Sequence, residues 1–479
     1  MSVLVVDAGT TSVRAGVVRP DGSVVAVHRR PLAVETPNHG FVEFDAAVLA
    51  GAALAVAQAA LAEGGPVHAV GIANQRASTV LWDRATGEPV APAIGWQDVR
   101  TAPLCLMLQG QGIRLAPNAS ATKLSVLLDI ADPARERDLC FGTVDSWLAW
   151  TLCGGALHVT DATNAGVTGL LLADGSGWDE AVLDALRIPP SVLPRIVDSS
   201  GILGPALALD CVPPLAGLAG DQQASLVGQG CTRPGLAKAT FGTGGMLDLC
   251  TGGRRPSFPV RGEAGCFPIL AWRRGGADAW GIEAVMLSAG SCVEWLCAMG
   301  ILTDAAESDG LAASVRTAGD VWFVPALVGL GTPRWDFGAR GTLVGVGAGT
   351  GRAEVVRAVL EGVAHRGADL VEAAEADGGL PIATLRVDGG MTANATFVQA
   401  LADTAGRPVE VSPVPEATML GAAYLAGMAV GLWRDEEEVA DAWAPARVVE
   451  PRRRPDRDRW REVVDRAAGV VPELSAVRF

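Results

Sequence analysis

VLVVDAGTTSVR, residues 3–14, decides the fold. Val3 to Asp7 form a short apolar run ending in a carboxylate, and Gly9, Thr10, Thr11 and Ser12 follow at once. An apolar pattern then resumes from Val13 to Val18 around Arg14. This order reads as strand, tight turn, strand. Gly9 lacks a Cβ, so the backbone there can bend sharply and approach a ligand closely. The Thr and Ser hydroxyls and the N–H groups of the turn are donors suited to phosphate oxygens. Asp7 is placed to hold Mg²⁺, directly or through water. An ordinary hairpin whose hydroxyls cap their own turn fits the same residues.

A second segment favours the phosphate reading. Residues 236–250 read LAKATFGTGGMLDLC, in which a strand-like run again meets a glycine- and threonine-rich turn, Gly242-Thr243-Gly244-Gly245. Two such hairpins far apart in sequence point to two related halves facing one nucleotide. Neither a G-x-x-x-x-G-K-[ST] loop nor a G-x-G-x-x-G turn is present, and Thr350 breaks the latter spacing in Gly345–Gly349.

Composition narrows the partners. With 38 basic and 53 acidic residues the net charge is −15, which argues against nucleic acid and anionic membranes. Arg452-Arg453-Arg454 is interleaved with nearby Asp456 and Asp458 and reads as a solvated face. Nine cysteines with no C-x-x-C pair fit reduced thiols and a cytoplasmic location. No signal peptide and no uncharged apolar run of about 18 residues is found. The five histidines show no metal spacing.

Length allows two domains with large cores. Strands are expected at 3–7, 13–18, 24–28, 67–73, 215–219 and 385–388, and helices over 45–63, 144–152, 284–299, 352–376 and from 394. The alternation indicates an α/β protein with sites at the carboxyl ends of strands. A boundary between Leu226 and Pro234 divides the chain into domains 1–227 and 228–479, packed over a shared cleft.

Ten ordered segments carry a resemblance. They are Asp7 to Arg14, GIANQR (71–76), WQDVRT (96–101), FGTVDSWLAW (141–150), HVTDATNA (158–165), GLAGDQQASLVGQ (217–229), FGTGG (241–245), GLGTPRWDFGARG (329–341), RVDGGMTAN (386–394) and MLGAAYLAGMAVGLW (419–433). Over nearly its whole length the chain resembles the FGGY carbohydrate kinases, with most similarity to their glycerol kinase branch. The resemblance implies two actin-like, ribonuclease H-like domains with ATP and a polyol or sugar between them. It implies phosphate contacts from Thr10, Thr11, Ser12, Arg14 and Thr243, and an adenosine end at Gly290, Gly390 and Asn394. It places Mg²⁺ at Asp7 and Asp221, with Asp221 also the catalytic carboxylate. Arg76, Trp96, Asn118, Asp221 and Gln222 would line the acceptor pocket. Family members commonly form dimers or tetramers, so a homodimer or homotetramer is expected. Glu294 carries over near the nucleotide, where the branch has Gln.

These residue types suit phosphoryl transfer, where the protein mainly positions groups and stabilises charge. A carboxylate at a strand end can take the proton of the attacking hydroxyl. Asp221 fits that role, although capping the following helix would use the same residue. Asp388 reads as support for its glycine turn.

The match breaks at the acceptor. Glycerol kinases carry Glu after the NQR arginine, whereas this chain has Ala77. The pocket tyrosine aligns with Asn118 and the pocket phenylalanine with Met246. The pocket should be roomier, which favours a tetritol, pentitol or ketose; a relocated acceptor group would instead keep glycerol. An actin-like ATPase without an acceptor, or a sensor that binds without turnover, would not need NQR, Trp96 and GDQQ together with both hairpins.

Overall fold

The computed structural model describes residues 1–477. The first hairpin is present: Val3–Ala8 pairs antiparallel with Ser12–Val18, which pairs with Val24–Pro31. Ala69–Asn74 adds parallel to the first strand, and Pro214–Gly220 adds parallel to that. The second half repeats this succession. Ala237–Phe241 and Gly245–Gly252 form the second hairpin, Ala277–Met286 and Phe267–Arg274 extend it antiparallel, and Leu385–Asp388 and Val409–Val411 extend it parallel. Ser200–Pro205 joins the halves, antiparallel to Pro214–Gly220 and parallel to Phe267–Arg274 at Ser200 and Arg274. The result is one sheet of 13 strands.

Strand Val3–Ala8 is apolar throughout because both of its faces are covered. Leu4, Val6 and Ala8 meet Leu49, Ala53 and Val56 of helix Ala46–Gly64 on one side. Val3 and Val5 meet Met419, Leu420 and Ala423 of helix Ala417–Ala429 on the other. Alternation of side chains along the strand therefore puts Asp7 on the face of Val3 and Val5. Helix Ala46–Gly64 is long and apolar enough to cross a membrane, but its apolar residues form this core layer. Asp45 caps it, accepting from the N–H groups of Ala47 and Val48.

Helix Ala417–Ala429 belongs to the second half of the sequence yet packs on the first half's strands. Glycines permit the approach. A Cβ on Gly71 would lie 2.6 Å from Ala422 O, and one on Gly217 would lie 2.6 Å from Ala426 N. Helix Asp221–Gly228 dovetails with it in the same way, since a Cβ on Gly421 would lie 1.7 Å from Ala224 O.

The expected strands and most of the expected helices are found. One expectation is corrected: residues 284–299 are not a single helix. Ala277–Met286 is a strand and the helix runs Gly290–Ala298. The apolar run fits either period, and pairing with Gly245–Gly252 and Phe267–Arg274 decides it.

Two stability predictions follow from the packing. Gly421→Ala should destabilise the fold by about 1–3 kcal/mol in chemical denaturation, the usual cost of overpacking. His158 packs edge-on against Trp82 and Trp150, and burial lowers its pKa to about 4. The folded state therefore binds fewer protons than the unfolded state below pH about 6.5. Stability should fall as pH drops from 6.5 toward 4, with a shallower slope in His158→Asn, read by urea midpoints at each pH.

Candidate active site

Five strand ends meet in the cleft. They deliver Asp7, the Asn74-Gln75-Arg76 segment, Asp221, the Gly242-Thr243 turn and the Asp388-Gly389-Gly390 turn.

The first hairpin is tied by Gly9 N donating to Ser12 O at 3.0 Å. Thr10 and Thr11 lie at its tip, Thr11 exposed, while Ser12 is buried and opens the second strand. Arg14 is the cross-strand neighbour of Asp7 and pairs with its carboxylate. Burial raises the Asp7 pKa, and the Arg14 charge opposes this.

A ring of hydrogen bonds links this hairpin to the NQR segment and Trp96. Gln75 Nε2 donates to Gly9 O at 3.3 Å, and Ser78 Oγ donates to Gln75 Oε1 at 3.0 Å. Trp96 N donates to Ser78 Oγ at 3.0 Å, and Trp96 Nε1 returns to Thr10 Oγ1 at 3.0 Å. Lys123 is wholly buried and its Nζ donates to Gly95 O and Asn118 O at 2.8 and 2.9 Å. Burial lowers its pKa to about 7. Asn118 is thereby anchored through its carbonyl, with its side chain exposed.

Asp221 opens helix Asp221–Gly228 straight after its strand, and Gln222 N donates to Asp221 Oδ1 at 2.8 Å. Burial raises its pKa; Arg76 opposes the rise and the Asp7 charge adds to it. Arg76 Nε lies 3.5 Å from Asp221 Oδ1, and Arg76 Nη2 lies 2.7 Å from Glu283 Oε2. Its stem crosses Gly220, where a Cβ would lie 2.7 Å from Arg76 Cδ. The next residue, buried Ala77, has φ 61°, a left-handed conformation costing about 1–2 kcal/mol. Its carbonyl accepts from Ser120 Oγ at 3.0 Å, which helps hold it there.

From the second half, Lys238 Nζ pairs with Asp248 Oδ2 at 2.8 Å, both side chains wholly buried. The same Nζ donates to Gln222 Oε1 at 2.6 Å. Met246 Sδ lies 3.8 Å from Arg76 Nη2. Sequence reasoning missed Glu283, Lys238 and Asp248. Glu283 immediately precedes the misread helix, in a strand that the sequence reading did not expect. The LAKATF and GMLDLC runs did carry a charge each within apolar sequence, and that was the signal for the other two.

Behind the site lies a buried polar network that also went unread. Asp161 Oδ1 accepts from Thr163 Oγ1 and Asn164 Nδ2, each at 2.9 Å. Thr163 Oγ1 accepts from Gly220 N at 2.9 Å, and Asn164 exchanges bonds with Asn74 at 2.8 and 3.1 Å. The strand ends before Asp221 and Arg76 are thus fixed from one carboxylate. Its signal was the polar run TDATN between apolar segments.

At the nucleotide end, Ser291 N donates to Thr243 O at 3.1 Å and Gly290 N to Gly242 O at 2.8 Å, so the second hairpin abuts helix Gly290–Ala298. A Cβ on Gly290 would lie 2.6 Å from Gly242 O, whereas one on Gly390 would meet nothing within 4 Å. Gly390 borders open space. Asn394 is different. Its Oδ1 accepts from Phe397 N at 2.8 Å as the cap of helix Ala395–Ala405, and its Nδ2 donates to Ser308 Oγ at 3.0 Å. Its side chain is committed to the fold. Asp388 accepts from Ser225 Oγ at 3.2 Å and supports its turn.

Fold and site define a phosphotransferase acting on an alcohol group, with two sheet halves around a nucleotide cleft. Residues 2–228 match the N-terminal domain and residues 237–430 the C-terminal domain of the FGGY family of carbohydrate kinases. A glycerol kinase of Aromatoleum aromaticum is 44% identical over 98% of this chain and 99% of its own. Glycerol kinase 2 of Thermotoga maritima is 40% identical, covering 98% and 99%. A crystal structure of Plasmodium falciparum glycerol kinase with ADP superposes with a TM-score of 0.90 at 26% identity, covering 100% and 99%. A xyloylose kinase from Brucella ovis follows at 0.85 and 25%, covering 100% of both chains. The chain belongs to the FGGY family of carbohydrate kinases.

The Gly290 contact yields a prediction. Gly290→Ala should push the second hairpin off its helix and weaken ADP binding at least tenfold in calorimetry, with little change in thermal midpoint.

Proposed function

We propose that the protein transfers the terminal phosphoryl group of ATP to a hydroxyl of glycerol or a similar small polyol, with Asp221 as the base. The observation that carries this is the position of Asp221 at a strand end, half-buried beside Arg76 and near enough to Asp7 and Lys238 for their charges to act on it. Relatives at 40–44% identity over the full chain named glycerol kinase support the acceptor class.

Asp7 and Asp221 suit Mg²⁺. They are hard oxygen ligands, near enough that the charge of one raises the pKa of the other. Among the described residues no cluster of three or more ligating side chains exists, so phosphate and water would complete the shell. The cation would neutralise charge on the phosphates. The chain's own residues do the rest. Thr10, Thr11, Ser12, Arg14 and Thr243 hold the phosphates from both hairpins. Gly290 and Gly390 bound the adenosine groove. Trp96 walls the acceptor, Gln222 and Arg76 orient its hydroxyls, and Asp221 accepts the proton. Domains 1–227 and 228–479 would each carry one hairpin. Buried thiols fit a cytoplasmic enzyme.

A larger acceptor is the second reading, favoured by small Ala77 and exposed Asn118 in the pocket wall. Asp221→Asn should lower kcat by about 10²–10⁴-fold while ADP still binds. Near-normal turnover in that variant would refute the assignment. Comparing kcat/KM across glycerol, erythritol, xylitol and D-xylulose separates the two acceptor readings.

A further inference from the structure

We propose that Glu283 is an acceptor-binding carboxylate, taking the hydroxyl contacts that Ala77 cannot make, and that it selects neutral polyols over anionic sugar acids. The inference rests on the kinase reading above.

Glu283 lies on strand Ala277–Met286 directly opposite Asp248 of strand Gly245–Gly252. Two residues further along the same face, Met246 and Val285 are partners. Met246 touches Arg76, so this face of the second half's sheet forms the wall opposite the NQR segment. Glu283 stands on that wall with its carboxylate on Arg76 Nη2, beside the Nε that Asp221 approaches, so both carboxylates lie along one edge of the guanidinium. An acceptor bound by Arg76 and deprotonated by Asp221 would lie within reach of Glu283.

The charges do not balance without a ligand. Arg76 and Lys238 face Asp221, Asp248 and Glu283, while Arg14 is taken by Asp7. Two cations thus face three acidic side chains, and burial holds Glu283 toward its protonated form. Lys238 serves Asp248 and Gln222, which leaves Arg76 to be divided between Asp221 and Glu283. Among the described residues Arg76 is the one ion-pair partner of Glu283, whose side chain is 10% exposed. Burial raises the Glu283 pKa, Arg76 opposes this and Asp248 adds to it. Burying a carboxylate with one shared partner is costly. A neutral molecule rich in O–H donors relieves that cost; a carboxylate or phosphate on the acceptor worsens it.

The role differs from simple support of Arg76, and the difference is measurable. KM for acceptor, KM for ATP and kcat are determined for wild type, Glu283→Gln and Glu283→Asp. The acceptors are glycerol, erythritol, xylitol, D-xylulose, gluconate and singly deoxygenated analogues of the best of them. Wild type should use neutral acceptors and ignore gluconate. In both variants KM for the best acceptor should rise at least tenfold, with KM for ATP within twofold of wild type. That loss should shrink below threefold for the analogue lacking the hydroxyl held by Glu283. Glu283→Asp retains the charge and so reports even where the neutral variant folds poorly. An unchanged acceptor KM, or an equal loss for every analogue, would overturn the role of Glu283 while leaving the kinase reading intact. Gluconate turnover comparable to the polyols would overturn the selection against anions. Absence of turnover with any neutral acceptor in wild type would overturn both readings.

Discussion

One guanidinium joins the two halves at their chemical centre. Arg76 comes from the first half and is shared between Asp221 of that half and Glu283 of the other. Its pair with Glu283 operates largely out of water, at 11% and 10% exposure, while Asp221 keeps about a third of its side chain open to solvent. Removing one partner from such an arrangement typically costs about 3–5 kcal/mol, because a buried charge is left alone. The neighbouring backbone is shaped to it. Gly220 makes room for its stem, and Ala77 accepts a left-handed conformation immediately after it. Strain of that kind persists only where surrounding bonds fix it, and Ser120 supplies one of them.

The position of Asp221 rests on backbone contact rather than on side-chain packing. Helix Asp221–Gly228 lies so close to helix Ala417–Ala429 that a methyl at Gly228 or Gly421 would fall inside a carbonyl's radius. Helix Ala417–Ala429 in turn sits on Gly71 and Gly217 of the strands that deliver Arg76 and Asp221. A late segment of the chain thus clamps the strand ends of the first half. The Asp161 network holds the same strand ends from the opposite side through Gly220 N and Asn74. Rigid mounting of this kind limits the reorganisation needed when charge moves in the transition state.

Much of this was legible in residue order. Both hairpins, the strand leading to Asp221 and the helix of residues 144–152 follow from apolar runs broken by glycine or a carboxylate. What escaped depends on pairing over long separations. GIEAVML satisfies a helical or an extended period, and only neighbours at 245–252 and 267–274 make it a strand. Glu283 was hidden by that ambiguity. Asn394, which the resemblance assigns to the nucleotide, also has a structural task, since its side chain caps a helix and bonds Ser308, 86 residues away. A motif marks a place in the fold, and local geometry assigns its work.

The first hairpin and the wall carrying Trp96 are coupled by hydrogen bonds. The ring through Gly9, Gln75, Ser78, Trp96 and Thr10 makes the acceptor wall a hydrogen-bonded neighbour of the phosphate hairpin. Trp96 contributes its indole N–H to Thr10, so the two segments share one side chain. Residues outside that ring are free to change without disturbing the hairpin. Ala77, Asn118 and Met246 all lie outside it, and each departs from the glycerol kinase pattern. The ring ties Gln75, Ser78 and Trp96 to the first hairpin, whereas Met246 and Glu283 stand on the opposite wall, held to it through Arg76.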